Sequence, residues 1–306
     1  MKKICFDIGG SSIKLNIFDE NNISILNDKI IHKQFIMTEI ITGFKMRTVK
    51  LQDCLEQIRE YIEQFNQAVE VGIAIPGVID NINNKVLSQS SISDIDIDIN
   101  NFFSKITLVK KLKIENDAKA AAIGELIYGQ NNQITNAIIL TIGSGLGGGI
   151  IINKKVYKGS HNGAGEFSQI ISNMNSQEVN LNELIVGSTS TGSICEMYSY
   201  LSKLDHKING QEFMQLVLDK NKLALELFNK QIKTLRNLLI NFQVIFDVEK
   251  ILIGGGISDN NYFIDKLKEE VDSINYWKIN VEKCKLSNNA ACYGMLAILV
   301  DEYQYD

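Results

Sequence analysis

One proline, Pro76, stands in the whole chain of 306 residues, so linkers carry no proline mark and domain boundaries have to be found from pattern. The five cysteines, Cys5, Cys54, Cys195, Cys284 and Cys292, are scattered and odd in number, with no Cys-x-x-Cys pair. That argues against a disulfide framework and a thiolate zinc site, and leaves each thiol as a small buried apolar group. Basic residues are not in surplus either: 31 Lys and Arg face 36 Asp and Glu, a formal charge of −5. No basic surplus is available to neutralise a phosphate backbone, and no nucleic-acid partner is expected. No window approaches the ~18 uninterrupted apolar residues of a spanning helix. Met1-Lys2-Lys3 leads straight into a strand-like run without an apolar leader. The expectation is a cytoplasmic protein with no membrane partner.

What is present is ordinary for a globular protein, with 45% apolar and 22% charged residues. The length suits two domains. Lys2 to Ile8 reads as a strand, Gly9-Gly10-Ser11-Ser12 as a turn, and Ile13, Leu15 and Ile17 as a second strand alternating with polar residues. Asn22 to His32 supplies a third. Leu51, Leu55, Ile58, Ile62 and Phe65 recur at helical spacing, and Val69 to Ile75 returns to strand before the turn Pro76-Gly77. Strands joined through a crossover helix make the fold class α/β. Asn136 to Ile142, then Gly143 to Gly149, then Ile150 to Ile152 repeat the plan of residues 2 to 17, which points to two domains of related topology. Beyond them, Leu181 to Leu204 reads as helix in two pieces, Gln211 to Leu218 and Lys222 to Phe246 as further helices, and Lys250 to Ile253 as a strand. Ser258 is expected to cap a helix, Ile279 to Val281 is another strand, and Ala290 to Tyr303 is expected as a final amphipathic helix.

Asp94-Ile95-Asp96-Ile97-Asp98-Ile99 matches the first three ligand positions of a calcium loop. The sixth position is Ile99 where glycine is needed, and no glutamate occupies the twelfth. An alternating edge strand or surface turn accounts for it better.

At Leu112 to Glu125 a short apolar run meets Asn116-Asp117 and then an alanine-rich segment, so the Asx pair is expected at a strand-to-helix junction. A carboxylate there feels the positive end of the helix dipole and suits a base that accepts a proton late in a reaction; a plain helix cap is the competing reading. Three glycine clusters follow apolar strands: Asp7-Ile8-Gly9-Gly10-Ser11, Thr141-Ile142-Gly143-Ser144-Gly145 and Ile253-Gly254-Gly255-Gly256. None fits the P-loop or the Gly-x-Gly-x-x-Gly fingerprint, and each alone is consistent with a plain turn. Together, two hairpins with facing glycine turns, one preceded by Asp7, would cradle a polyphosphate and hold its magnesium, with the third cluster towards adenine and ribose.

In order and spacing these segments resemble the ROK (repressor, ORF, kinase) family of sugar kinases, over essentially the full chain. Phe6 to Lys14 is similar to the family's first phosphate loop, Gly72 to Gly77 to its sugar-side turn, and Glu115-Asn116-Asp117-Ala118 to its catalytic segment. Leu140 to Gly149 resembles the second phosphate loop, Ile251 to Ser258 the adenosine segment, and Gly163-Ala164-Gly165-Glu166 the start of a sugar-binding Glu-x-Gly-His motif. The resemblance implies two actin-like (ribonuclease H-like) domains flanking a substrate cleft. Residues 1–116 would form a sugar- and phosphate-binding domain, with the last helix, about 290–306, packing back on it, and residues 117–289 a nucleotide-binding and dimerisation domain. It implies ATP and Mg2+, a small-molecule sugar as partner and a homodimer. The reaction implied is phosphorylation of a hexose or N-acylhexosamine at the 6-hydroxyl, N-acetylmannosamine or glucose first, a β-glucoside or a non-catalytic sugar-responsive regulator as alternatives.

Carried over residue by residue, Asp117 would be the general base and Asn116 would orient the sugar. Glu166, Gln169, Glu183 and Gly77 would line the sugar site, and Asp7 would hold magnesium through water. Gly9, Gly10, Ser11, Lys14, Thr141, Gly143, Ser144, Gly145, Gly254, Gly255 and Gly256 would line the nucleotide. The chain departs from the pattern at Gln169, where the family has its zinc-binding histidine, and at Ile170 to Asn180, which replaces the cysteine run. No zinc is therefore expected. His161 is read as a solvated loop residue that could reach the sugar, and His32 and His206 as surface residues.

Overall fold

The structure is a computed structural model that describes residues 1–41, 44–173, 175, 183–274 and 278–305. It divides into two compact units, unit 1 being Met1–Gln133, Lys155–Ala164 and Asn289–Asp306, and unit 2 Ile134–Lys154 and Gly165–Asn288.

Unit 1 is built on a sheet that starts from the expected hairpin, β1 (Lys2–Ile8) and β2 (Ser12–Phe18), extended antiparallel by β3 (Ser24–Ile31). Next come β4 (Ile36–Ile41) and β5 (Phe44–Lys50), an antiparallel pair not among the expected strands. α1 (Leu51–Ile62) leads to β6 (Val69–Ile75), the small hairpin β7 (Ile79–Asp80) and β8 (Lys85–Val86), and β9 (Ile92–Ser93), which pairs with β5. The Asp94–Ile99 run is not a strand. Asp94 takes φ +52°, and Asp98 accepts the N–H of Asn101 at 2.9 Å as the cap of α2 (Ile99–Ser104). A side chain engaged as a helix cap is the reason the alternation does not become a ladder. β10 (Val109–Asn116) then runs directly into α3 (Asp117–Gly124).

The sheet order is β10-β6-β1-β2-β3, with β10, β6 and β1 parallel. Both faces of β1 are covered, so its residues from Lys3 onward are buried. Ile4, Phe6 and Ile8 share a core with Leu51, Cys54, Leu55 and Ile58 of α1.

In unit 2, β11 (Ala137–Ile142) and β12 (Leu146–Ile152) form the second hairpin. The chain returns to unit 1 for β13 (Lys155–Val156) and the loop to Ala164. Back in unit 2, α4 (Val186–Thr189), α5 (Thr191–Leu201), α6 (Gly210–Leu218) and the 25-residue α7 (Lys222–Phe246) precede β14 (Lys250–Gly254), which lies parallel to β11. Leu181 and Asn182, expected to begin the first of these helices, lie outside the described residues. Asn260, not Ser258, caps α8 (Asn261–Asp272), accepting the N–H of Phe263 at 3.1 Å. Ser258 is buried in the preceding 3-10 turn and donates to the Gly255 carbonyl at 2.8 Å. β15 (Val281–Lys283) completes the sheet beside β14.

The last helix, α9 (Ala290–Leu299), belongs to unit 1 and is not amphipathic: nine of its ten residues are buried. It packs on β6 and β1 and on α3, so no face is left for solvent. The crossing with α3 is close enough that a Cβ on Gly294 would overlap the backbone oxygen of Ala120. This packing keeps α3 in unit 1 and puts the boundary after Gln133 rather than after Asn116.

Candidate active site

The β10–α3 junction folds as its residue types require. Asn116 has extended backbone, φ −61° and ψ 139°, and its Oδ1 accepts the N–H of Lys119 at 2.9 Å, the bond that caps α3. Its Nδ2 donates to the carbonyl of Gly77 at 2.9 Å and to Asp117 Oδ1 at 3.1 Å. Asp117 Oδ1 also accepts the N–H of Ala118 at 2.9 Å, so the carboxylate is oriented from two sides. Gly77 takes φ +107°, and a Cβ there would stand 2.6 Å from the Ser88 carbonyl oxygen. Only glycine turns the chain here so that its carbonyl meets Asn116. Ser88 and Ser90 surround that turn, and Ser91 lies against Gly10. The segment between β8 and β9 thus touches both the Pro76-Gly77 turn and the Gly9–Ser12 loop.

That loop follows β1. Gly9 N–H donates to the Ser12 carbonyl at 2.9 Å, closing the turn. Asp7 and Lys14 are paired across the hairpin register, with Nζ 3.1 Å from Oδ2, and Asp7 is 8% exposed. Asp7 holds the Lys14 ammonium above the usual lysine range, against the desolvation that lowers it, and the charge of Asp117 adds a smaller push in the same direction. Asp7, Lys14 and Asp117 therefore share one electrostatic environment.

His32 is not on the surface. It is 4% exposed, with Nε2 2.8 Å from the Gly9 carbonyl and Nδ1 3.1 Å from Gln57 Oε1. A carbonyl oxygen only accepts, so Nε2 carries a hydrogen and braces the loop from behind. Nothing in the local pattern of β3 marks this role, because the partners come from the loop and from α1. His161 and His206 are exposed, as their loop settings imply.

In unit 2 the second and third glycine clusters come together because β11 and β14 are parallel neighbours ending at the same edge. Gly143 N–H donates to the Gly145 carbonyl at 3.0 Å, and the Gly143 carbonyl accepts the N–H of Gly192 at 3.0 Å. The N-terminus of α5, capped by Ser190, therefore adjoins the loop with its positive end. Thr191 Oγ1, in the same turn, is buried without a hydrogen-bond partner among the described residues. Gly255 is glycine for the fold: φ is +82°, and a Cβ would strike the backbone of Ile142. Gly143, Gly145 and Gly256 differ, since a Cβ on any of them would meet no atom within 4 Å. Their missing side chains leave open space at the loop, which is room a ligand needs to approach the backbone.

Phe167 follows Glu166 into a 3-10 turn and is clamped between Gly148 and the Phe242 ring, 4.3 Å between centroids. Gln169 ends that turn exposed, with Nε2 3.4 Å from Ser168 Oγ. Ser172 N–H donates to the Glu183 carbonyl at 2.6 Å and Ile185 N–H to the Ile170 carbonyl at 2.8 Å. The Glu166–Gln169 turn and Glu183 thus stand on adjoining, zipped segments. Within the Ile170–Asn180 segment, residue 174 and residues 176–180 lie outside the described residues.

The donor set suits magnesium with phosphate: one carboxylate, Asp7, at the end of a strand beside a glycine loop, leaving the remaining positions to water and phosphate oxygens.

The sequence profile of the ROK family matches residues 3–302. A β-glucoside kinase of Listeria innocua is 25% identical, with 99% of this chain and 98% of that protein aligned. An N-acetylmannosamine kinase of Vibrio cholerae is likewise 25% identical, over 89% and 90% of the two chains. Among solved structures, a ROK family glucokinase from Streptomyces griseus in complex with glucose and AMPPNP superposes with a TM-score of 0.79 at 19% identity, covering 98% of this chain and 100% of that one. The shared fold and the profile match across nearly the whole length make this chain a member of the ROK family.

Proposed function

We propose that the protein transfers the γ-phosphoryl group of ATP to the 6-hydroxyl of a hexose or N-acylhexosamine, with N-acetylmannosamine and glucose as the first candidates. The observation that carries this is Asp117, fixed at the start of α3 by Asn116 and Ala118 and sharing the field of the Asp7–Lys14 pair. Asp117 accepts the hydroxyl proton as the sugar oxygen forms its bond to the γ-phosphorus; the bond to the β–γ bridging oxygen breaks and ADP leaves. Asn116, Gly77, Glu166, Gln169 and Glu183 orient a neutral polyol, which needs donors and acceptors rather than charge. Gly9, Gly10, Ser11, Lys14, Thr141, Gly143, Ser144 and Gly145 line the phosphates, and Gly254, Gly255 and Gly256 the nucleoside end. Asp7 would hold Mg2+ through water, and the bound ion supplies charge neutralisation on the phosphates.

The β-glucoside kinase relative gives a second substrate reading its weight. A coupled ADP-release assay with Mg-ATP and glucose, N-acetylmannosamine, N-acetylglucosamine, fructose and cellobiose separates them. Turnover with a free hexose or hexosamine supports the first reading, preference for cellobiose supports the second, and no turnover with any sugar overturns both. A cytoplasmic homodimer is the assembly this reading carries. The exposed Met197, Tyr200, Leu201 and Leu204 around the end of α5 support it, and light scattering of the purified protein tests it.

A further inference from the structure

Glu115, immediately before the Asn116-Asp117 pair, has a fully buried carboxylate. Its Oε1 accepts the backbone N–H of Asn116 at 2.8 Å. Its Oε2 accepts from Lys158 Nζ at 3.0 Å and from the hydroxyl of Tyr305. Lys158 also donates to Asn81 Oδ1 at 2.9 Å, and its ammonium lies 4.9 Å from the centre of the Tyr305 ring. Asn81 belongs to the segment that begins with Gly77. Asn116 is therefore held twice, its side chain by Gly77 and its main chain by Glu115, and Lys158 ties Glu115 to Asn81 of the segment that follows Gly77.

Tyr305 reaches this point because the last residues are stitched to the β13 segment. Val156 N–H donates to the Tyr303 hydroxyl oxygen at 2.7 Å, Lys155 Nζ donates to the Gln304 carbonyl at 2.5 Å, and the Tyr303 and Tyr305 rings stand 5.1 Å apart edge to face. Burial and the charge of Glu115 push the Tyr305 phenol well up, so it remains a donor. A buried ion pair is a poor source of net stability compared with apolar packing of the same volume, whereas it is an effective way to specify one geometry. Here the geometry it specifies is that of the residues around the acceptor hydroxyl.

We propose that Lys158 and Tyr305 are positioning residues: by holding Oε2 of Glu115 while Oε1 accepts the Asn116 N–H, they set where Asn116 and Asp117 stand, so the carboxy-terminal residues tune sugar phosphorylation without touching the sugar. The kinetic half of this rests on the kinase reading above; the structural half does not.

The test uses full-length protein with Tyr305→Phe, which keeps the ion pair, and Lys158→Met alone and combined with Glu115→Gln, which removes the charges together. Amide hydrogen exchange of the peptide spanning residues 112–118 is read beside steady-state kinetics. In Tyr305→Phe, exchange in that peptide accelerates, and kcat/KM for the sugar falls about tenfold while KM for ATP stays within about twofold, as loss of one charge-assisted bond implies. Lys158→Met loses more, and the double variant recovers part of the loss because no uncompensated charge stays buried. Unchanged exchange in Tyr305→Phe and in the double variant overturns the proposal. So does a loss that raises both KM values alike, which marks general loosening. A wild-type protein that phosphorylates no sugar overturns the kinase reading instead, and the exchange rates still decide whether Tyr305 and Lys158 hold the segment.

Discussion

His32 Nε2 stands 2.8 Å from the carbonyl oxygen of Gly9, joining the end of β3 to the loop after β1. Gln57 holds the ring from α1 and donates its own Nε2 to the Ile31 carbonyl at 3.1 Å. The loop that would wrap the triphosphate is thus braced by a buried ring and a buried amide. His32→Phe keeps an aromatic ring against Phe35 and removes the bond to the Gly9 carbonyl. The expected result is a KM for ATP raised about tenfold, with a smaller change for the sugar, since an unmade buried bond costs roughly 1–3 kcal/mol. Steady-state kinetics with each substrate varied in turn checks this.

Asp117→Asn keeps the shape of the side chain and its bond from Ala118 N–H while removing the proton acceptor. Turnover should fall by about 10²–10⁴, the usual contribution of a general base. Sugar affinity, measured calorimetrically, should change by no more than a few-fold. Full activity in this variant would sink the assignment of Asp117.

Two glycines in different settings should respond oppositely to alanine. At Gly294 the new methyl overlaps the Ala120 backbone, and overpacking of this kind costs about 1–3 kcal/mol or more in urea unfolding. At Gly143 it meets nothing within 4 Å, so unfolding should be unchanged within about 0.5 kcal/mol. The Gly143→Ala methyl points into the open space assigned to phosphate, and KM for ATP should rise.

All five thiols are buried. Burial pushes Cys54 up to about 12 and Cys195 up to about 11, and raises Cys5 and Cys292 as well. In the native protein at pH 8 none of these four should react with an aromatic disulfide reagent; all should react in denaturant. The unfolded chain loses these thiol protons from about pH 8.5 upward while the folded chain keeps them, so their contribution to stability is complete below that value and declines as pH rises above it. Urea midpoints measured from pH 7 to pH 10 should fall at the alkaline end.

Elements whose cause is local were legible without coordinates. β1, β6 and α7 follow from runs and periodicities contained within them, and Asn116 from the preference of its side chain for an open helix N-terminus. The glycine clusters were legible as turns at strand ends, but which glycine serves the fold and which leaves open space was not, since Gly255 and Gly143 look alike as letters. β4 lacks a clear alternation, β5 alternates from Phe44 to Arg47 but is a strand only through its pairing with β4 and β9, and Ser258 had the composition of a cap but was taken up by the Gly255 carbonyl, leaving the capping to Asn260.

For this protein the residue order alone determined the α/β class, the two hairpin-and-glycine repeats, the strand-to-helix junction carrying Asp117 and the kinship with the ROK family. Tertiary structure decided the burial of His32, the burial of α9 on all sides and the arrival of Tyr305 at Glu115, 190 residues away along the chain. The physical reason is the range of the forces involved: helix propensity, capping and strand alternation act over a few residues. A buried imidazole, a helix without a polar face or a carboxylate in need of donors is settled by whichever distant segment the packing brings to it.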